Sequence, residues 1–270
     1  MKLAANTWFA PELGLESAIK LVASLGFDAV EIAGTRENLK YEHSALKRML
    51  SEQAINLACI SAGVPFLRDT THLNLHSSRL VTRKESVNYV FQCIDFASRF
   101  EAKLVYVCSF NLELGQTKVE ARKVFAECLV ECVDYAGKLG ISLALEHFPS
   151  GLYPSILDTC GLVSEIAGLG LVFDTGHEVL CRKHIGLPII DASKILDVHI
   201  NNNDGISDNH WPPGKGVIRE NNFREIVRHL SSIGYDKYLS LELANTGDDG
   251  SDLSESKTYL ISLCSDRASN

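Results

Sequence analysis

Leu15-Glu16-Ser17-Ala18-Ile19-Lys20-Leu21-Val22-Ala23-Ser24-Leu25, then Gly26, then Ala29-Val30-Glu31-Ile32: this stretch decides the fold. Its first part repeats apolar residues at helical spacing, and Gly26 stands where a helix takes a left-handed C′ residue. A short apolar run with the two-residue period of a strand follows at once. The same arrangement returns over Val124 to Leu139 with Gly140, and over Phe223 to Ile233 with Gly234. Outward from these units, runs rich in Val, Ile and Leu lie near 2–8, 29–34, 55–62, 103–110, 141–148, 170–176, 195–201 and 238–244. Strands alternating with helices pair in parallel through right-handed crossovers, and eight such units in about 250 residues have the size of a closed (β/α)8 TIM barrel. That α/β barrel is the expected fold; an open doubly wound sheet shares the periodicity and stays open as the alternative. No Pro- or Ser-rich linker interrupts the chain, so one domain is expected over 1–270.

Composition narrows the function classes. The chain has 270 residues, 46% hydrophobic and 22% charged, enough for a large buried core. A formal net charge of -8 argues against a nucleic-acid partner, which needs an excess of Lys and Arg. Eight cysteines, at 59, 93, 108, 128, 132, 160, 181 and 264, form no Cys-x-x-Cys pair and fall mostly in apolar stretches. They are expected to be reduced, in a cytoplasmic protein. The first residues lack the apolar segment of a secretory signal, and no later run has the length to cross a bilayer, so no membrane partner is expected.

Chemistry concentrates in the second half. Leu143-Ala144-Leu145-Glu146, Leu171-Val172-Phe173-Asp174, Leu196-Asp197-Val198-His199 and Leu239-Ser240-Leu241-Glu242 each set bulky apolar side chains on one strand face and small or ionisable ones on the other. In a barrel, Glu146, Asp174, His199 and Glu242 all reach the C-terminal mouth. Three carboxylates and an imidazole in one space repel unless a divalent cation is held among them. A lone Glu at a strand end usually caps a helix or pairs with Arg, but four such residues on successive strands, with no Lys or Arg on the inward faces, point to one metal ion. The donor set suits Mn²⁺, Mg²⁺, Co²⁺ or Zn²⁺ without choosing among them; of the four, Mn²⁺ is the ion expected. Long connections at Gly63–Thr82, Gly176–Ile190 and Asn202–Asn221 follow strands and are candidates for a lid or specificity wall.

These residues resemble those of the xylose isomerase-like TIM barrels, a superfamily of sugar epimerases and isomerases, inosose dehydratases and AP endonucleases. The likeness runs nearly the whole length. It is carried by Gly26-Phe27-Asp28-Ala29-Val30-Glu31-Ile32, Ala144-Leu145-Glu146-His147, Phe173-Asp174-Thr175-Gly176-His177, Val198-His199-Ile200-Asn201, Pro213-Gly214-Lys215-Gly216 and Leu241-Glu242. The resemblance implies that Glu146, Asp174, His199 and Glu242 hold one divalent ion. It further implies that Glu146 and Glu242 act as acid and base on opposite faces of a small sugar or keto-polyol, through a metal-stabilised enediolate. His177 and His210 are expected to contact substrate oxygens, with hydrogen bonding to backbone as the plainer role. Lys215 reaches a substrate anion or sits in a rigid Pro-Pro-Gly turn. Glu31 bonds the sugar or orders the barrel floor, and Trp8 stacks on the sugar or packs under a loop.

Three other readings share the scaffold. A dehydratase, of the inosose or dehydroshikimate type, uses the same first proton abstraction and then expels a hydroxyl, with His177, His210 or Lys215 protonating it. A non-catalytic sugar-binding barrel has no need of three carboxylates facing one cavity. The nuclease branch is suggested by Asp208-x-His210, but Val107-Cys108-Ser109-Phe110 and Ser61-Ala62-Gly63 lack its further histidines. No Gly-rich phosphate cradle is present, so a non-phosphorylated substrate is favoured. Dimers and tetramers are common in that superfamily, and the sequence leaves open whether this chain forms a homo-oligomer.

Overall fold

The structure, a computed structural model, describes residues 1–63, 70–182, 191–244, 246–247 and 249–265. Eight parallel strands close into a barrel in the order of the chain. They are β1 Lys2–Asn6, β2 Ala29–Ala33, β3 Asn56–Ala62, β4 Leu104–Cys108, β5 Ser142–Glu146, β6 Leu169–Asp174, β7 Ile195–Ile200 and β8 Tyr238–Leu241. The ring closes where Leu3 of β1 pairs with Leu239 of β8. The eight runs read from the sequence are these strands, and the closed ring excludes the open sheet. Helices alternate with them: α1 Gly14–Ser24, α2 His43–Glu52, α3 Leu80–Arg99, α4 Lys118–Lys138, α5 Ile156–Glu165, α6 Thr175–Arg182, α7 Glu220–Ser232 and α8 Ser251–Ser265.

Local sequence explains the helix limits. α4 opens on a capping box in which the Thr117 hydroxyl accepts from the Glu120 N–H while the Glu120 carboxylate accepts from the Thr117 N–H. α1 and α4 stop before Gly26 (φ 74) and Gly140 (φ 69), in the left-handed region that glycine enters at no steric cost. The segment from Gly176, read as a long connection, is instead helical from the end of β6, because α6 begins at Thr175. Residues 64–69 and 183–190 of the proposed lid segments lie outside the described residues.

Strand alternation divides the core in two. Outward residues such as Val30, Ile60, Val105, Leu143, Leu145, Phe173, Val198 and Leu241 pack with Ile19, Val22, Leu46, Ile94, Phe125 and Phe223 of the helices. The interior instead holds small or polar groups, with Cys59, Tyr106, Ala144 and Val172 in one cluster and Ala4, Ala29 and Ala58 in another. Two register shifts break the ladders, one between Val30 and Glu31 against β3 and one between Leu171 and Val172 against β7. Each bulge adds one residue to a strand and re-aims the side chains beyond it.

Candidate metal centre

The closed ring brings the four expected ligands together. Glu146 and Asp174 end β5 and β6, His199 is paired with Asp174 across β6 and β7, and Glu242 follows β8 directly. One ligand atom from each lies within 4.8 Å of the others, and all four side chains are buried. His199 Nδ1 is central: it is 2.8 Å from Glu146 Oε1, 2.9 Å from Glu242 Oε2 and 3.9 Å from Asp174 Oδ2. Burial opposes an imidazolium here, but Glu242, Glu31 and Glu146 overcome it and push the His199 pKa well above the usual value. A position that concentrates three carboxylates on one proton is a position that suits a cation.

The donor set fits a divalent ion. Metal–oxygen and metal–nitrogen bonds of about 2.0–2.2 Å place ligand atoms roughly 3–4 Å apart, close to the separations around Nδ1. Glu242 Oε2 is buried with no hydrogen-bond partner among the described residues, an acceptor left over for an ion. The other oxygens are steadied. Asp174 Oδ1 accepts from the His177 N–H at 2.7 Å, and its Oδ2 accepts from Asn201 Nδ2 at 2.5 Å. The Cys108 thiol, its pKa raised well above normal by burial and by Glu146, donates to Glu146 Oε2 at 3.0 Å.

A second cluster sits beside the first. His177 Nδ1 donates to the His147 carbonyl at 2.9 Å, and His210 Nδ1 donates to the Glu242 carbonyl at 3.1 Å. Both rings turn Nε2 to Asp208, each at 3.2 Å from a different carboxylate oxygen. Burial disfavours charge on these rings, yet Asp174, Asp208 and Glu146 raise His177 well above normal, while Glu242, Asp208 and Asp174 bring His210 to about 9. His210 also adopts φ 50, the strained left-handed region, in order to reach this position. His177, Asp208 and His210 together have the spacing of a further cation-binding triad.

The remaining expected residues are placed elsewhere. Glu31 is fully buried on the far side of His199 from the other ligands, its Oε2 at 3.5 Å from Nε2. At that depth it orders the barrel interior and does not meet the mouth. Lys215 is 59% exposed and pairs with Asp252 at 2.7 Å, so it is not brought to the centre. Trp8 lines a separate groove of about 390 Å³ with Leu13, Thr35 and Tyr41, beside α1. Residues quoted in the sequence motifs without a role at the centre include Asn201, Cys108 and His147, whose Nε2 accepts from the Asp174 N–H at 3.0 Å, while Asp208 is singled out there only for its likeness to a nuclease pair. His147 is held neutral by burial and by the charge of His177, with a pKa down to about 3. Beneath His199, Glu31, Cys59 and Asp197 form a buried polar layer, in which burial and then Glu31 push the Asp197 carboxyl well up.

Residues 19–263 match the family model described as xylose isomerase-like TIM barrel. The chain belongs to that family. Fructoselysine 3-epimerase of Shigella flexneri is 25% identical over 263 residues, covering 90% of this chain and 90% of that protein. A solved D-tagatose 3-epimerase-like protein is 27% identical with a TM-score of 0.76, covering 97% of this chain and 98% of the other. A solved IolI protein with a bound zinc atom superposes at a TM-score of 0.80 over 100% of both chains, at 20% identity, which speaks to the fold. Two of these relatives are, by name, an epimerase and an epimerase-like protein. No helix among the described residues is long and apolar enough to cross a membrane, and the eight cysteines are free thiols.

Proposed function

We propose that the protein is a divalent-metal-dependent isomerase or epimerase of a small sugar or keto-polyol. The observation that carries this reading is the pair Glu146 and Glu242, whose carboxylates approach one central atom, His199 Nδ1, at 2.8 and 2.9 Å. The epimerase relatives and the zinc of the IolI protein support it. Glu146, Asp174, His199 and Glu242 would hold the ion, Mn²⁺ before Mg²⁺, Co²⁺ or Zn²⁺. When bound, it supplies Lewis-acid stabilisation of negative charge on substrate oxygen.

The protein's own groups divide the remaining work. Glu242 would take a proton from carbon, and Glu146, steadied by Cys108, would return one from the other side. His177 and His210 would donate to substrate oxygens through Nε2, exchanging the contact that each ring makes with Asp208. The test is a panel of ketoses, inososes and keto acids with Mn²⁺ in deuterated buffer. Exchange of a substrate α-proton is expected, falling about 10²-fold or more in Glu146→Gln and Glu242→Gln. Full exchange in Glu146→Gln would defeat the two-glutamate scheme. The raised pKa values of His177 and His210 favour one alternative, a dehydratase that protonates a departing hydroxyl. Product mass separates the two: loss of water means lyase, unchanged mass means isomerase or epimerase.

A further inference from the structure

We propose that Glu31 is a positioning residue for the cation, accepting the Nε2 proton of His199 so that Nδ1 faces Glu146, Asp174 and Glu242. This rests on the reading of the mouth cluster as a divalent-cation site. An imidazole has two nitrogens, and one that ligates an ion through Nδ1 carries its proton on Nε2. That proton needs an acceptor, because the ring is completely buried. Nε2 has no hydrogen-bond partner among the described residues, and neither does either carboxylate oxygen of Glu31. The two unsatisfied groups face each other at 3.5 Å. A shift of a few tenths of an ångström joins them.

The surroundings leave the ring no other orientation to prefer. Tyr106 packs its ring edge-on to His199, 5.1 Å between centroids. Nδ1 is already directed at the three mouth carboxylates, so a ring flip would turn a carbon toward them. Glu31 reaches this depth because the register shift after Val30 pairs it with Cys59. A carboxylate buried at the centre of a barrel is costly unless it has a partner; Ser240, Asp197 and His199 surround Glu31, and of these His199 offers the ring nitrogen that has no other acceptor among the described residues. Outer ligands of this kind fix ring orientation and raise ligand basicity.

The test uses the full chain, stripped of metal. Mn²⁺ is titrated calorimetrically into wild type, Glu31→Gln and Glu31→Leu, with melting curves recorded without metal. Wild type is expected to bind one ion; affinity falls about 10-fold in Glu31→Gln, which keeps an acceptor, and about 100-fold in Glu31→Leu, which has none. Metal-free melting temperatures are expected to fall in Glu31→Leu, because removing one partner of a buried pair leaves the His199 Nε2 proton without an acceptor; affinities are therefore compared below the lowest melting point, and the site of the His199 proton is the readout that a merely structural role for Glu31 would not move. Nitrogen-15 spectra of Zn²⁺-loaded wild type should show the His199 proton on Nε2. If Glu31→Leu does not fold, Glu31→Gln and the wild-type spectrum still decide. Equal affinity in wild type and variants, or a proton on Nδ1, overturns the inference alone. Two ions in wild type with one lost in Glu31→Gln makes Glu31 a ligand in its own right and also overturns it. No binding in wild type overturns the metal reading and this inference together.

Discussion

Gly176→Ala is a one-methyl change that should disable the centre without touching a ligand. Gly176 is the second residue of α6, where helix propensity alone favours Ala by about 1 kcal/mol. Sterics predict the opposite. A Cβ built at this position lies 2.0 Å from Asn201 Oδ1 and 3.1 Å from Asn203 Nδ2, against ordinary contacts of about 3.5 Å. Asn201 cannot retreat: it is fully buried, its N–H donates to the Thr175 hydroxyl at 3.0 Å, and that hydroxyl donates to its carbonyl at 2.7 Å. Only the amide can turn, and turning withdraws Nδ2 from Asp174. Overpacking costs about 1–3 kcal/mol and the lost bond to a carboxylate about 1.5–3, together roughly 3–6 kcal/mol. At about 2–4 °C per kcal/mol for a chain of this size, melting should fall by roughly 6–24 °C. Calorimetric melting of the metal-free protein reads the stability, and Mn²⁺ titration reads the loosened Asp174. Gly137→Ala in α4 and Gly161→Ala in α5, where the added Cβ meets nothing within 4 Å, are the controls and should stabilise by about 0.5–1 kcal/mol. Gly176→Ala melting within about 2 °C of wild type would refute the reasoning.

Further outcomes follow from other parts of the molecule. Excess divalent cation, at about 100 times its dissociation constant, should add about 2.7 kcal/mol and raise the melting point by roughly 5–10 °C; a melting curve unmoved by Mn²⁺ or by chelator counts against the metal site. His147 has a depressed folded-state pKa, about 3 against an ordinary 6.5, so its contribution is complete above pH 6.5 and is lost as pH falls toward 3. Urea midpoints measured across that window should slope downward in wild type and flatten in His147→Gln. Lys215→Ala should leave proton exchange unchanged and alter stability by no more than about 1 kcal/mol, since its partner Asp252 is a surface pair; a large rise in KM would return Lys215 to the substrate site.

How much of this was legible depends on what a two-residue period encodes. It gives the face of a strand, and the late position in each run gives the end of the barrel, so Glu146, Asp174, His199 and Glu242 could be read together. It does not give depth, which is why Glu31 was assigned to the correct side of β2 with its layer undecided. Loop residues have no period at all, and Lys215 and Trp8 went to places that only the folded loops define. Asn201 carried a usable signal, lying two residues after His199 on the same inward face. His147 was marked only by its place in the Ala144-Leu145-Glu146-His147 motif: it lies on the outward parity of β5, and its bond to the Asp174 backbone appears only once β5 and β6 are paired.

The register shifts were the deepest omission, and one can be tested directly. Against β6, Ile195 pairs with Leu171 but Asp197 with Val172, so Leu196 is the extra residue of β7. It leans over Gly170, where an added Cβ would meet Leu196 Cδ1 at 2.3 Å and Cγ at 2.5 Å. Gly170 and Leu196 are therefore one feature: the glycine leaves room for the bulge that sets Asp197 and His199 on the inward face. Gly170→Ala should cost about 1–3 kcal/mol through overpacking. Leu196→Ala should cost less than a full core truncation, since this side chain is only half-buried. With the leucine gone the alanine at 170 fits, so the double variant should be more stable than the sum of the single losses by about 1 kcal/mol or more. Urea denaturation of the four proteins closes the cycle. Strict additivity would mean that Leu196 does not occupy the space above Gly170, and the bulge would then need another cause.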